Sequence, residues 1–160
     1  VLRITNSIIS GSAALHVLLS TAWSPSDLDV YAPHHSYKQV ISYLRDAENY
    51  QVMESPDPSK YPYRGNGFSS VTHLFRDGHE IDVIQSPTRS ALHPLPHFWA
   101  THVMNYISAD AYCVAYPRYT LTERGILNPI HLVQLQFPPP TTLSNIAKYT
   151  TRRFDFRISP

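Results

Sequence analysis

A chain of 160 residues, 42% of them hydrophobic, suits one domain with a real core. With 13 Lys and Arg against 12 Asp and Glu, the net charge of +1 argues against a dedicated nucleic-acid-binding surface, though not against a small local basic patch. The one cysteine, Cys113, cannot close an internal disulfide, which points to a reducing, intracellular and cytoplasmic setting. No run reaches the roughly 20 apolar residues of a membrane span, and no signal peptide is visible. The chain begins at Val1 without a methionine, which reads as a trimmed or partial chain.

Residues 4–10 read as a short buried strand. From Gly11, the spacing of Ala14, Leu15, Leu18 and Leu19 predicts a helix ending near Thr21. Trp23–Ser26 is a loop that feeds a strand over Asp27–Tyr31. A second helix is predicted from Ser36, a plausible N-cap, to about Asn49, with Tyr37, Val40, Ile41 and Leu44 as its apolar stripe. Tyr50–Met53 suits a short strand, and residues 54–67, rich in Pro and Gly, a long loop. Phe68–Arg76 and His79–Gln85 alternate like strands and are joined at Asp77-Gly78, a strong hairpin signal. A long helix is predicted within residues 95–108, with Phe98, Val103, Met104 and Ile107 facing the core. Ala111–Tyr116 reads as a strand and Thr120–Leu127 as a short helix. Pro138-Pro139-Pro140 marks a hinge before a terminal helix from about Thr141. The expected organisation is a core over residues 1–90 with a mainly helical part, 91–160, packed on it as one compact domain.

Successive side chains of a strand point to opposite faces, so Asp27 and Asp29 share one face. Two close carboxylates repel by roughly 1–4 kcal/mol, depending on screening. A bound divalent cation relieves that repulsion, and magnesium favours a few carboxylates plus substrate phosphates. Upstream, Ile8–Ser10 breaks at Gly11-Ser12 into a helix. Gly11 lets the backbone approach a ligand, Ser12 adds a hydroxyl, and the helix N-terminus favours a phosphate. Downstream, Asp82 on the second hairpin strand completes a second metal position if that strand lies beside the first. The arrangement reads as a two-metal phosphoryl or nucleotidyl transfer site, in which Asp82 helps deprotonate an attacking hydroxyl.

Ser10-Gly11-Ser12, then Asp27-Leu28-Asp29-Val30, then Ile81-Asp82-Val83 resemble the nucleotidyltransferase superfamily, the polymerase-beta-like fold. The resemblance covers roughly residues 4–86 and is closest to compact uncharacterised fungal members. It implies an α/β fold with a mixed sheet flanked by helices, Mg2+ or Mn2+ as cofactor, and a nucleoside triphosphate, ATP first among them, as donor. Asp27, Asp29 and Asp82 are then the catalytic and metal-holding residues, and Gly11 and Ser12 nucleotide-binding ones; Lys38 and Arg89, which trail the acidic strands in sequence, are the further candidate nucleotide contacts. The gap from Ser12 to Asp27 is slightly longer than the family's, and Ser10 stands where the family prefers an apolar residue.

Blander readings stand beside these. Gly11-Ser12 serves equally as a plain strand-to-helix turn, Asp27 as a turn cap after Pro25-Ser26, and Asp82 as a solvent-facing strand residue. His93, His97 and His102 have a zinc-like spacing, but Pro94 and Pro96 disrupt a shared helical face and no cysteine pair supports them. His34-His35 reads as a loop pair near the acidic strand. Arg64 and Arg76, like Lys38 and Arg89, read as solvated charge or as phosphate contacts. Two functions follow from different classes. One is an enzyme transferring a nucleoside monophosphate to a hydroxyl of a protein, a small molecule or an RNA end, with no membrane involved. The other is a catalytically idle module of the same fold that binds nucleotide or protein.

Overall fold

The computed structural model describes residues 1–53, 67–133 and 140–159. Seven strands form one sheet in the order β3-β4-β5-β2-β1-β6-β7. They are β1 (Ile8–Ser10), β2 (Asp27–Ala32), β3 (Gln51–Val52), β4 (Ser70–Arg76), β5 (His79–Gln85), β6 (Asn105–Ile107) and β7 (Tyr112–Val114). The central β2–β5 pair is parallel and its neighbours are antiparallel, so the sheet is mixed. A separate parallel pair joins β8 (Arg124–Ile126) to β9 (Asp155–Arg157). Among the described residues six α-helices accompany the strands: α1 (Leu2–Thr5), α2 (Gly11–Leu19), α3 (Tyr37–Asp46), α4 (Pro117–Thr120), α5 (Pro129–Val133) and α6 (Pro140–Thr151). Among the described residues no helix is long and apolar enough to cross a membrane.

Strand alternation divides the central sheet into an apolar face and a face that carries charge. Val30 and Ala32 of β2 and Ile81 and Val83 of β5 point one way, under Val40 and Leu44 of α3. Asp27, Asp29 and Asp82 have the opposite parity and share the other face. On that face Tyr31 and Ile84 pack with Ile8, Ala91 and Leu95. Burying side chains of this size contributes roughly 1.5–3 kcal/mol each, which fixes the register. The β4–β5 hairpin turns at Asp77 and Gly78, both at positive φ (50° and 82°), as a two-residue hairpin of right-handed twist requires.

Several expectations are corrected. Residues 4–10 divide into the end of α1 and β1, separated by Asn6 in the left-handed conformation. Ser36 precedes α3 but makes no side-chain cap; its hydroxyl donates to the Thr5 carbonyl at 2.7 Å instead. The long helix over 95–108 does not form. Pro94 and Pro96 limit the segment to two 3-10 turns, Leu95–His97 and Thr101–Val103, before β6 joins the sheet beside β1. The helix expected over Thr120–Leu127 is α4 followed by β8, where Gly125 admits the Phe156 ring that a Cβ would meet at 2.8 Å. Residues 91–160, expected to be mainly helical, thus supply β6, β7, β8 and β9 as well as helices. Pro140 opens α6, a position where a missing N–H costs nothing; Pro138, Pro139, Arg64 and most of the loop over 54–67 lie outside the described residues.

Candidate active site

The parallel register sets Asp29 of β2 directly beside Asp82 of β5. One carboxylate oxygen from each of Asp27, Asp29 and Asp82 lies within 4.8 Å of the other two. All three are half-buried at the base of a cleft of about 340 Å3. Gly11 and Ser12 from the start of α2, Phe98 and Trp99, and Asn145, Lys148 and Tyr149 from α6 line the same cleft. The last three stand at i, i+3 and i+4, one face of α6.

The space that Gly11 leaves open is taken by the protein itself. At φ +65°, a Cβ on residue 11 would lie 2.3 Å from Asp29 Oδ2. The strand-to-helix turn therefore seats an acidic side chain against the first turn of α2, whose unpaired N–H groups favour negative charge. Ser10 is fully buried, and its hydroxyl donates to the Asn105 carbonyl of β6 at 2.5 Å, which explains a polar residue at this apolar position. Asp27 accepts a hydrogen bond from the Ser26 hydroxyl at 3.0 Å while lying within β2. Asp82 accepts one from His73 on β4, with Nδ1 and Oδ1 2.6 Å apart.

Burial, followed by the charges of Asp27 and Asp82, pushes the Asp29 carboxyl up to about 8 from 3.8, while Lys148 pulls the other way. The trio thus holds negative charge that Lys148 does not offset. An all-oxygen donor set of this kind fits hard divalent ions such as Mg2+ and Mn2+ far better than zinc. The linkage has a definite sign. Between about pH 4 and about pH 8 the unfolded chain has lost the Asp29 proton and the folded chain keeps it, so metal-free stability falls as pH rises through that window. Each pH unit costs at most about 1.4 kcal/mol. In EDTA, the melting temperature of the wild type should fall from pH 5 to pH 8 more steeply than that of Asp29→Asn. Mn2+ should raise it more at pH 8 than at pH 5, because the ion competes with the proton. Parallel profiles for the two proteins would contradict the assignment.

Lys38 and Arg89 lie elsewhere. Both are exposed and follow the C-terminal ends of β2 and β5, whereas Asp27 and Asp29 occupy the start of β2. The hydrogen bond from His34 N–H to the Thr88 carbonyl ties those two loops together at that far end. Among the described residues lining the cleft, the cation is Lys148. Arg76 lies over the Tyr50 ring at 4.5 Å and donates to the Glu48 carbonyl, a structural role. His102 is fully buried among Trp99, Tyr149, Phe154 and Phe156, and burial lowers it to about 3; it does not converge with His93 and His97 on a metal.

A larger cavity of about 560 Å3 lies across the Trp23–Tyr149 contact from the acidic cleft. Its wall includes Ser20 at the end of α2, Leu121 at the end of α4, and Thr151, the last residue of α6. Helix C-termini present free carbonyls and a partial negative charge. The Arg152 guanidinium also packs 3.9 Å from the Trp23 ring centre. The smaller cleft is the one in which three carboxylates converge.

No protein-family model and no curated protein sequence matches the chain. Solved structures do. A Thermotoga maritima CCA-adding enzyme complexed with tRNA superposes over 94% of this chain and 35% of its own, with a TM-score of 0.67 and 12% identity. A tRNA nucleotidyltransferase complexed with a primer tRNA and an incoming ATP analog matches over 94% and 43%, with a TM-score of 0.61 and 15% identity. The apo form of a tRNA-processing enzyme matches over 94% and 39%, with a TM-score of 0.62 and 15% identity. The fold is nucleotidyltransferase-like. At this identity the likeness is one of fold, and the chain spans between 35% and 43% of the lengths of these proteins. Nothing in these matches supports a special likeness to fungal members.

Proposed function

We propose that the chain is a magnesium- or manganese-dependent nucleotidyltransferase that moves a nucleoside monophosphate from a nucleoside triphosphate, ATP first among them, to a hydroxyl acceptor. The observation that carries this reading is the convergence of Asp27, Asp29 and Asp82 in one cleft beside Gly11 and Ser12. A fold shared with tRNA nucleotidyltransferases supports it. The three carboxylates would hold one or two divalent ions, which when bound offset phosphate charge and lower the pKa of an attacking hydroxyl. Lys148 faces the same cleft and offers a positive charge to the triphosphate, while the half-buried Trp99 offers an aromatic face to a base. Solved neighbours hold tRNA, which makes an RNA 3′ hydroxyl the acceptor to test first.

The test is incubation with labelled nucleoside triphosphates, Mg2+ and an RNA oligonucleotide, then with protein and small-molecule hydroxyls. Label should pass to an acceptor only when a divalent ion is present. Transfer that persists in EDTA would contradict the reading, and no transfer to any acceptor together with metal-dependent triphosphate binding would favour the idle module. Lys148→Ala should raise the KM for the triphosphate about tenfold while changing kcat less, since an exposed charge contributes mainly to binding. An unchanged KM would remove Lys148 from the donor site.

A further inference from the structure

His73 stands directly opposite Asp82 in the antiparallel β4–β5 ladder. A carboxylate oxygen only accepts, so the ring nitrogen donates: Nδ1–H points at Oδ1 over 2.6 Å. The two side chains are 25% and 24% exposed, so the contact is sheltered from water. The terminal torsion of an Asp side chain is soft, and an unanchored carboxylate turns about it. Asp27 has the adjacent Ser26 hydroxyl as an anchor and Asp29 is seated against Gly11, whereas Asp82 is anchored from the neighbouring strand.

We infer that His73 is a positioning residue for the divalent-cation site, holding the Asp82 carboxylate in the orientation that meets Asp27 and Asp29. The inference rests on the reading of the acidic cleft as a cation site. A ligand already fixed in place loses less rotamer freedom when the ion binds, and removing such an outer partner typically weakens metal affinity 10–100-fold.

The experiment is a Mn2+ titration, read by the paramagnetic resonance signal of the free ion, at one pH. It compares the wild type, His73→Ala, His73→Asn, His73→Gln, Asp82→Asn and the double variant His73→Ala/Asp82→Asn. His73→Ala should weaken Mn2+ binding about 10–100-fold. His73→Asn sets an amide N–H near the Nδ1 position and should recover most of the affinity; His73→Gln sets it near Nε2 and should not. In the Asp82→Asn background, His73→Ala should add little, because the two residues act through one contact. Metal-free melting temperatures measured alongside separate folding from binding, and the Asn–Gln comparison decides the matter if the alanine variant folds poorly. Wild-type affinity in His73→Ala, equal affinity of the Asn and Gln variants, or additive losses in the double variant would each overturn the inference. Absence of Mn2+ binding by the wild type would overturn it together with the cation site itself.

Discussion

Asp29→Asn should lower transfer activity at least about a hundredfold while raising metal-free stability. The substitution keeps the shape of the side chain and removes one carboxylate oxygen's charge from a trio whose members lie within 4.8 Å. An ion held by two carboxylates instead of three is bound and oriented less well, and transition-state stabilisation of several kcal/mol goes with it. Stability moves in the opposite direction. Burial, with Asp27 and Asp82 beside it, already penalises an ionised Asp29, so a neutral residue there removes a cost of roughly 1–4 kcal/mol. That gain should grow from pH 5 to pH 8, as the linkage requires. Asp27→Asn should show the same loss of activity. At saturating Mg2+, Asp82→Asn should lower turnover while leaving triphosphate binding largely intact, because its place is read as beside the attacking hydroxyl. Opposite signs on turnover and melting temperature distinguish a functional carboxylate from a structural one. A drop in both would mean that Asp29 holds the fold.

Gly11→Ala should damage both. At φ +65° a non-glycine residue pays about 1–2 kcal/mol for the backbone alone, and the new methyl would sit 2.3 Å from Asp29 Oδ2. Either the α2 start or Asp29 must shift. The combined cost is about 3 kcal/mol, or a fall in melting temperature of roughly 10 °C for a chain of this size. Activity should fall as far as in Asp29→Asn, because the displaced group is a proposed metal ligand. Gly78→Ala is the control. Gly78 has φ +82° but nothing within 4 Å of its Cβ position, so only the backbone term remains and the cleft is untouched. Scanning calorimetry of the two variants in EDTA, with activity measured in parallel, checks both. Equal effects at the two positions would show that the Gly11–Asp29 contact does not matter.

The acids were legible because strand parity is a rigid rule. Once Asp27 and Asp29 alternate with Leu28 and Val30, they must share a face, and the apolar residues choose the other. That Asp82 joins them depends on β5 lying parallel to β2, which only the structure supplies. The hairpin at Asp77-Gly78 held one more result that counting would have delivered. A two-residue turn pairs Arg76 with His79, and stepping outward pairs His73 with Asp82. Lys148, Asn145 and Tyr149 could not be read this way. They reach the cleft because α6 packs across it, at a distance in sequence that no periodicity encodes. Lys38 and Arg89 trail the acidic strands in sequence, but a strand carries its followers to its far end, about 3.3 Å further per residue. The helix expected over 95–108 failed where prolines overrode an apolar spacing, and the residues freed became β6, the partner that buries Ser10.

In the proposed function the acidic cleft holds a divalent cation and, with it, a nucleoside triphosphate. Equilibrium dialysis with labelled ATP and the other three triphosphates, in EDTA and in Mg2+ or Mn2+, addresses it directly. At least one triphosphate should bind tightly in the presence of the ion, with binding weakened at least about tenfold in EDTA and by the same amount in Asp29→Asn. Binding that is indifferent to the metal, or no triphosphate bound under any metal condition, would contradict it.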